Sequence, residues 1–97
     1  MSHTLHPDAA GDLTHAFRFY KSEAGNAVAA RFIAEYERVL SLLESHPEFG
    51  TPTGEDRRAY PLRGFPYSVI YRSLDAGVRV LVVRHQSRDP IHGTDRE

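Results

Sequence analysis

The spacing of apolar residues changes once along this chain. It runs in threes and fours before Pro47 and in twos after Glu55. That change dictates a layer of helices followed by a sheet. From Asp8 to Ser22, the residues Ala9, Leu13, Ala16, Phe17 and Tyr20 fall on one face of an amphipathic helix, with Asp8 as its expected N-cap. Gly25 and Asn26 interrupt the pattern, and Asn26 is expected to cap a second, longer helix. There Val28, Phe32, Ile33, Tyr36, Val39, Leu40 and Leu43 repeat on one face. This helix must stop near Ser45, because Pro47 disfavours helical geometry at His46. Two helices with so short a connection fold back as an antiparallel hairpin, and each brings an apolar side that needs a cover.

The second half supplies that cover. Pro47, Gly50, Pro52 and Gly54 mark residues 47–55 as a connector. Arg57 to Leu62 follows as a short strand whose Pro61 suits an edge or a bulge. Phe65 to Ser73 and Val78 to His85 are rich in aromatic and β-branched residues, and Leu74 to Gly77 turns one back on the other as a hairpin. Strict alternation points Val78, Val80 and Val82 toward the helices, and Arg79, Leu81, Val83 and His85 away from them. The expected class is α/β (α+β): a helical hairpin packed on one face of an antiparallel sheet of three or four strands. Residues 4–6 offer an extra strand. The core should join Phe65, Val69, Val80 and Val82 to Phe17, Phe32, Tyr36 and Leu40, with Tyr67 and Tyr71 as packing residues. At 97 residues one core is all the chain can build, so a single domain over 1–97 is expected, its core about 5–92 and its ends, 1–4 and 93–97, flexible.

Composition narrows the function classes. With no cysteine, disulfide frameworks and thiolate metal sites are excluded. His3 and His6 do not complete a metal site, and no cofactor motif occurs. The apolar run Val80–Val83 is too short for a bilayer, so a cytoplasmic protein without a membrane partner is expected. The net charge of -1 conceals segregation: residues 1–56 sum to -5, residues 57–88 to +6 and residues 89–97 to -2. The basic block holds Arg57, Arg58, Arg63, Arg72, Arg79, Arg84 and Arg88 against Asp75 alone. Arginines on a sheet commonly form nothing more than a solvated face. So many with so little acid repel one another, which favours an acidic partner or nucleic acid.

Several ordered motifs carry a family resemblance. Arg58, then Arg63-Gly64-Phe65-Pro66-Tyr67-Ser68-Val69-Ile70-Tyr71, and after one hairpin His85-Gln86-Ser87-Arg88-Asp89-Pro90, resemble the signature of the RelE/ParE toxin superfamily. Pro7-Asp8-Ala9 and His46-Pro47 before Gly50 resemble its helical half. The resemblance implies the toxin of a bacterial type II toxin–antitoxin system, a growth inhibitor held silent by a cognate antitoxin. It also implies contact with DNA only through the antitoxin complex. Arg58, Arg63 and Arg88 are the residues implied to bind target or antitoxin, while Arg79 and Arg84 are read as solubilising the sheet.

One superfamily branch cuts messenger RNA on the ribosome, and the other poisons DNA gyrase. Cleavage needs proton donors and acceptors as well as cations around the phosphate, and here Arg63, His85 and Arg88 are the residues a nuclease would use. RelE-like nucleases usually carry an arginine where Ser68 stands and an aromatic residue beyond the position of Tyr71, where this chain has none; His92 and Gly93 replace a frequent aromatic pair. Those departures favour the ParE-like branch. His85 reads better as a hydrogen-bonded structural residue than as a general base, although His85 and His92 titrate in the right range to move protons. A third reading is a non-toxic or degenerate module that only binds the antitoxin.

Overall fold

The computed structural model describes residues 2–87 and 92–97. Helix α1 (Pro7–Ala24) begins where Pro7 pre-sets the first helical φ, and the His6 side chain accepts from the Asp8 amide at 3.0 Å. His6, not Asp8, is therefore the N-cap; Asp8 sits inside the first turn, where its charge meets the positive helix end. Gly25 alone joins α1 to α2 (Asn26–Ser45). It takes the capping position expected for Asn26, which becomes the first helical residue. Pro47–Phe49 form one turn of 3-10 helix.

Five strands follow or flank the helices: β1 (Ser2–Leu5), β2 (Thr51–Gly54), β3 (Arg57–Pro61), β4 (Tyr67–Leu74) and β5 (Gly77–His85). They lie in the order β1-β5-β4-β3-β2. The sheet is thus larger than the three or four antiparallel strands expected, and it is mixed. The extra N-terminal strand exists and runs parallel to β5, with Leu5 opposite Val80. Inside the expected connector, Thr51–Gly54 pairs with β3, because an edge strand bonds on one side only and so tolerates Pro52.

A second correction concerns β5. Ile70 pairs with Val82 but Tyr71 pairs with Val80, so Leu81 is an extra residue opposite β4, a β-bulge. Beyond it the alternation changes sides. Val78, Val80 and Val83 enter the helix-side core with Ala16, Phe32, Tyr36, Val39, Leu40, Leu43, Val69 and Tyr71. Val82 does not; with Leu81 and Ile70 it forms a small second cluster on the outer face, against Ala59. The helix-side core is closed by an aromatic group in which Phe32, Phe65, Tyr67 and Tyr20 meet at centroid distances of 5.1 to 6.2 Å. Phe17 is only half-buried and lies beside Leu13 and Ile33 on the hairpin surface, outside that cluster.

Candidate functional site

Sheet register sorts the arginines onto two faces. Arg57 lies opposite Arg72, and Arg72 opposite Arg79, so three guanidinium side chains stand in one row across β3, β4 and β5. The next row on the same face is Ala59, Ile70 and Val82, and Arg84 follows opposite Ser68. Like charges directly opposed on a sheet repel. The row is met by residues 93–97, which cross this outer face. Arg57 donates to the carbonyls of Gly93 and Arg96, Arg72 to the Glu97 backbone oxygen at 3.2 Å, and Arg79 to the same oxygen at 2.9 Å and to Thr4 Oγ1 at 3.3 Å. Arg96 points the other way, donating to Asp12 Oδ2 at 2.6 Å and to the Leu81 carbonyl at 3.1 Å.

Asp12 ties helix, strand and tail together. The β1 pairing ends at Val80, which leaves the Val83 amide facing α1, and it donates to Asp12 Oδ2 at 3.1 Å. His92 Nε2 lies 3.5 Å from Asp12 Oδ1. Asp12, His15, Tyr67, Arg84, His85 and His92 line a cavity of about 130 Å³ beside this junction.

The expected site residues divide between places. Arg58 points to the helix side, where it donates to the carbonyls of Glu48 and Gly50 at 3.1 and 2.8 Å. The Tyr71 hydroxyl completes that latch by donating to the Pro47 carbonyl at 2.6 Å and accepting from the Gly50 amide at 2.9 Å. Burial pushes the Tyr71 phenol up from its ordinary range, against the opposing pull of the Gly50 hydrogen bond and the Arg58 charge. Arg63 lies past the other end of β3, with its amide held by Glu35 Oε2 at 2.6 Å. Glu35 also accepts two bonds from Arg38 at 2.7 Å, which hold its carboxyl below the usual carboxylate range. The exposed Arg63 side chain borders an open groove of about 620 Å³ floored by Tyr20, Val28 and Phe65 and rimmed by Arg31 and Arg38. Arg88 lies outside the described residues.

His85 ends β5 at the same end of the sheet as Arg63. Its Nδ1 accepts from the Ser87 amide at 3.1 Å and contacts Ser87 Oγ at 2.7 Å, while its ring meets Tyr67 edge-on at 5.0 Å. His3 pairs with Glu44 at 2.9 Å, and His6 caps α1. Among the described residues, no group of three or more His, Cys, Asp or Glu side chains is placed to hold a metal ion. Nor, among the described residues, is any helix long and apolar enough to cross a membrane. Sequence reasoning did not single out Arg57 and Arg72 and read Arg79 as a solubilising charge. Only the cross-strand register brings the three together.

A family model for the ParE toxin of type II toxin–antitoxin systems, parDE, matches residues 4–90. The chain belongs to the ParE toxin family. Toxin ParE2 of Mycobacterium tuberculosis, in strains CDC 1551 / Oshkosh and H37Rv, is 28% identical over 86 residues, spanning 89% of this chain and 82% of the relative. A solved chain described as the chromosomal ParDE TA system from P. aeruginosa shares the fold, with a TM-score of 0.75 at 19% identity over 88% of this chain and 95% of that one. The ParE fold here presents two cationic surfaces, the outer-face row and the Arg31–Arg38–Arg63 groove, one at either side of β3. Both are suited to binding acidic groups by charge-assisted hydrogen bonds.

Proposed function

We propose that this ParE-family chain inhibits bacterial growth by acting on DNA gyrase, and that a cognate antitoxin neutralises it by covering its arginine-bearing half. The antitoxin meets DNA, so the toxin reaches DNA only through that complex. Arg63 and Arg88, from the family motif, are assigned as contacts to the target, with Arg58 holding the turn at Glu48 and Gly50 at the opposite end of β3 from Arg63.

The observation that carries the gyrase reading over messenger cleavage is the engagement of His85. Its Nδ1 is occupied by Ser87 and its ring is packed on Tyr67, an arrangement that fixes the strand end. A nuclease needs a group placed to take the proton of the attacking hydroxyl and another to protonate the leaving oxygen. Ser68 stands where an arginine would add charge beside the phosphate. The test is to induce the chain without its antitoxin and run two assays in parallel, DNA supercoiling by gyrase and cleavage of messenger RNA on ribosomes. Loss of supercoiling with intact messenger is expected; messenger cleavage with normal supercoiling assigns the chain to the nuclease branch. Neither effect, with growth unimpaired, leaves a module that only binds antitoxin.

A further inference from the structure

Three guanidinium groups aligned across adjacent strands, with backbone oxygens of residues 93–97 as their chief described acceptors, make an unusual surface. The Gly93 and Arg96 carbonyls on Arg57 carry partial charge only, and the one Glu97 oxygen serves both Arg72 and Arg79, so the three guanidinium groups have fewer full-charge acceptors than they can pair with. Arg72 Nε is buried and has no hydrogen-bond partner among the described residues. Between this row and Arg84 lie Ile70, Leu81 and Val82, all at most 4% exposed, an apolar strip on a sheet face that carries no helix. Gly93 of the tail lies over this strip: a Cβ added to it would stand 2.5 Å from Val82 Cγ2, and its φ is +80°. Open space remains beside the tail, a groove of about 540 Å³ between it and the β2–β3 turn.

We propose that this outer face is a docking surface for an acidic segment carrying apolar residues, and that residues 92–97 hold its place in the free chain. Charge complementarity selects the occupant. Carboxylates of the segment replace the tail carbonyls on Arg57 and the shared Glu97 oxygen on Arg72 and Arg79, giving each guanidinium its own acceptor, and apolar side chains replace Gly93 on Ile70 and Val82. The tail is locked chiefly by the ion pair of Arg96 with Asp12, whose side chains are only 11% and 15% exposed, with the Asp8 carboxylate 3.9 Å from the same guanidinium. Docking therefore requires that pair to open, and the apparent affinity is reduced by the fraction of molecules in which the tail is closed. Taking the antitoxin as the source of the segment rests on the toxin–antitoxin reading; the surface itself does not.

The experiment uses a fluorescein-labelled synthetic peptide of alternating glutamate and leucine, with a lysine and leucine peptide as control, titrated into the whole chain. Arg96→Ala, which opens the lock, and Gly93→Ala, which forces the tail off Val82 without changing charge, should each tighten binding by about tenfold or more. Arg79→Gln should weaken binding by about tenfold or more through loss of one charge-assisted contact. On binding, the Arg96 amide, which donates to Gly93 O at 3.1 Å in the closed tail, should exchange with deuterium faster. Peptide affinity unchanged by both tail variants overturns the placeholder role. Equal affinity for the two peptides, or indifference to Arg79→Gln, overturns the surface. Because Gly93→Ala leaves Asp12 paired, it keeps the test open if Arg96→Ala fails to fold. A chain that arrests growth yet shows none of these peptide effects retains its toxin role and loses this surface.

Discussion

At the scale of single residues, side chains act here as fasteners for backbone that secondary structure leaves unpaired. Tyr71 was legible in the sequence as a packing residue, and it is fully buried. Its hydroxyl role was not legible, because the Pro47 carbonyl and Gly50 amide it serves lie more than twenty residues earlier, across a turn whose path only the fold defines. Tyr71→Phe leaves the ring in place and strips both bonds from that turn. It is expected to cost about 1 to 3 kcal/mol, read as a lower midpoint in chemical denaturation. Tyr36 makes a pH prediction. Burial, and to a lesser extent the charge of Glu37, push its phenol up to about 12. A raised phenol means that the folded state resists ionisation, so stability is complete below about pH 10 and falls as pH rises toward 12. Alkaline unfolding should begin in that window, and Tyr36→Phe should shift its onset to higher pH.

Among the elements, the helices were readable because a long apolar repeat has few alternatives. Phe32 is fully buried where the helices meet the aromatic group, and Phe32→Ala should cost about 3 to 5 kcal/mol in a denaturation experiment. The caps at His6 and Gly25 each lie one or two positions from those read, since Asp8 and Asn26 satisfy the capping preference as well by type alone. The strands with two neighbours were readable, as was the edge strand β1, but β2 was not. Thr51–Gly54, with one proline and one glycine in four residues, carries no local strand signal and is held by β3. Alternation assigned Val82 to the core and Val83 to the outside, and both are reversed, because the bulge at Leu81 adds one residue and turns the remaining strand over. Nothing in the run Val80-Leu81-Val82-Val83 signals it, all four being apolar. The same limit hid the arginine row, which depends on registers between three strands.

For the whole molecule, the legible signal was charge segregation: of the basic block, Arg57, Arg72, Arg79 and Arg84 share one side of the sheet and Arg63 borders a groove. Opposite charge across an interface mainly accelerates association, and salt screens it. Binding of the cognate antitoxin should therefore be rapid at low ionic strength and slow markedly as salt rises, as followed by stopped-flow fluorescence. An association rate indifferent to salt would show that the arginines do not guide the encounter. The central claim is that the chain acts on its target by cationic contacts and not by moving protons. Its most direct test is to express Arg63→Ala, Arg88→Ala and His85→Ala without antitoxin, with folding checked for each, and to score growth arrest. Both arginine variants should lose most of their toxicity, each contact contributing about 1.5 to 3 kcal/mol, while His85→Ala keeps it. A folded His85→Ala chain that is harmless while both arginine variants still arrest growth would contradict the account and make His85 a general base.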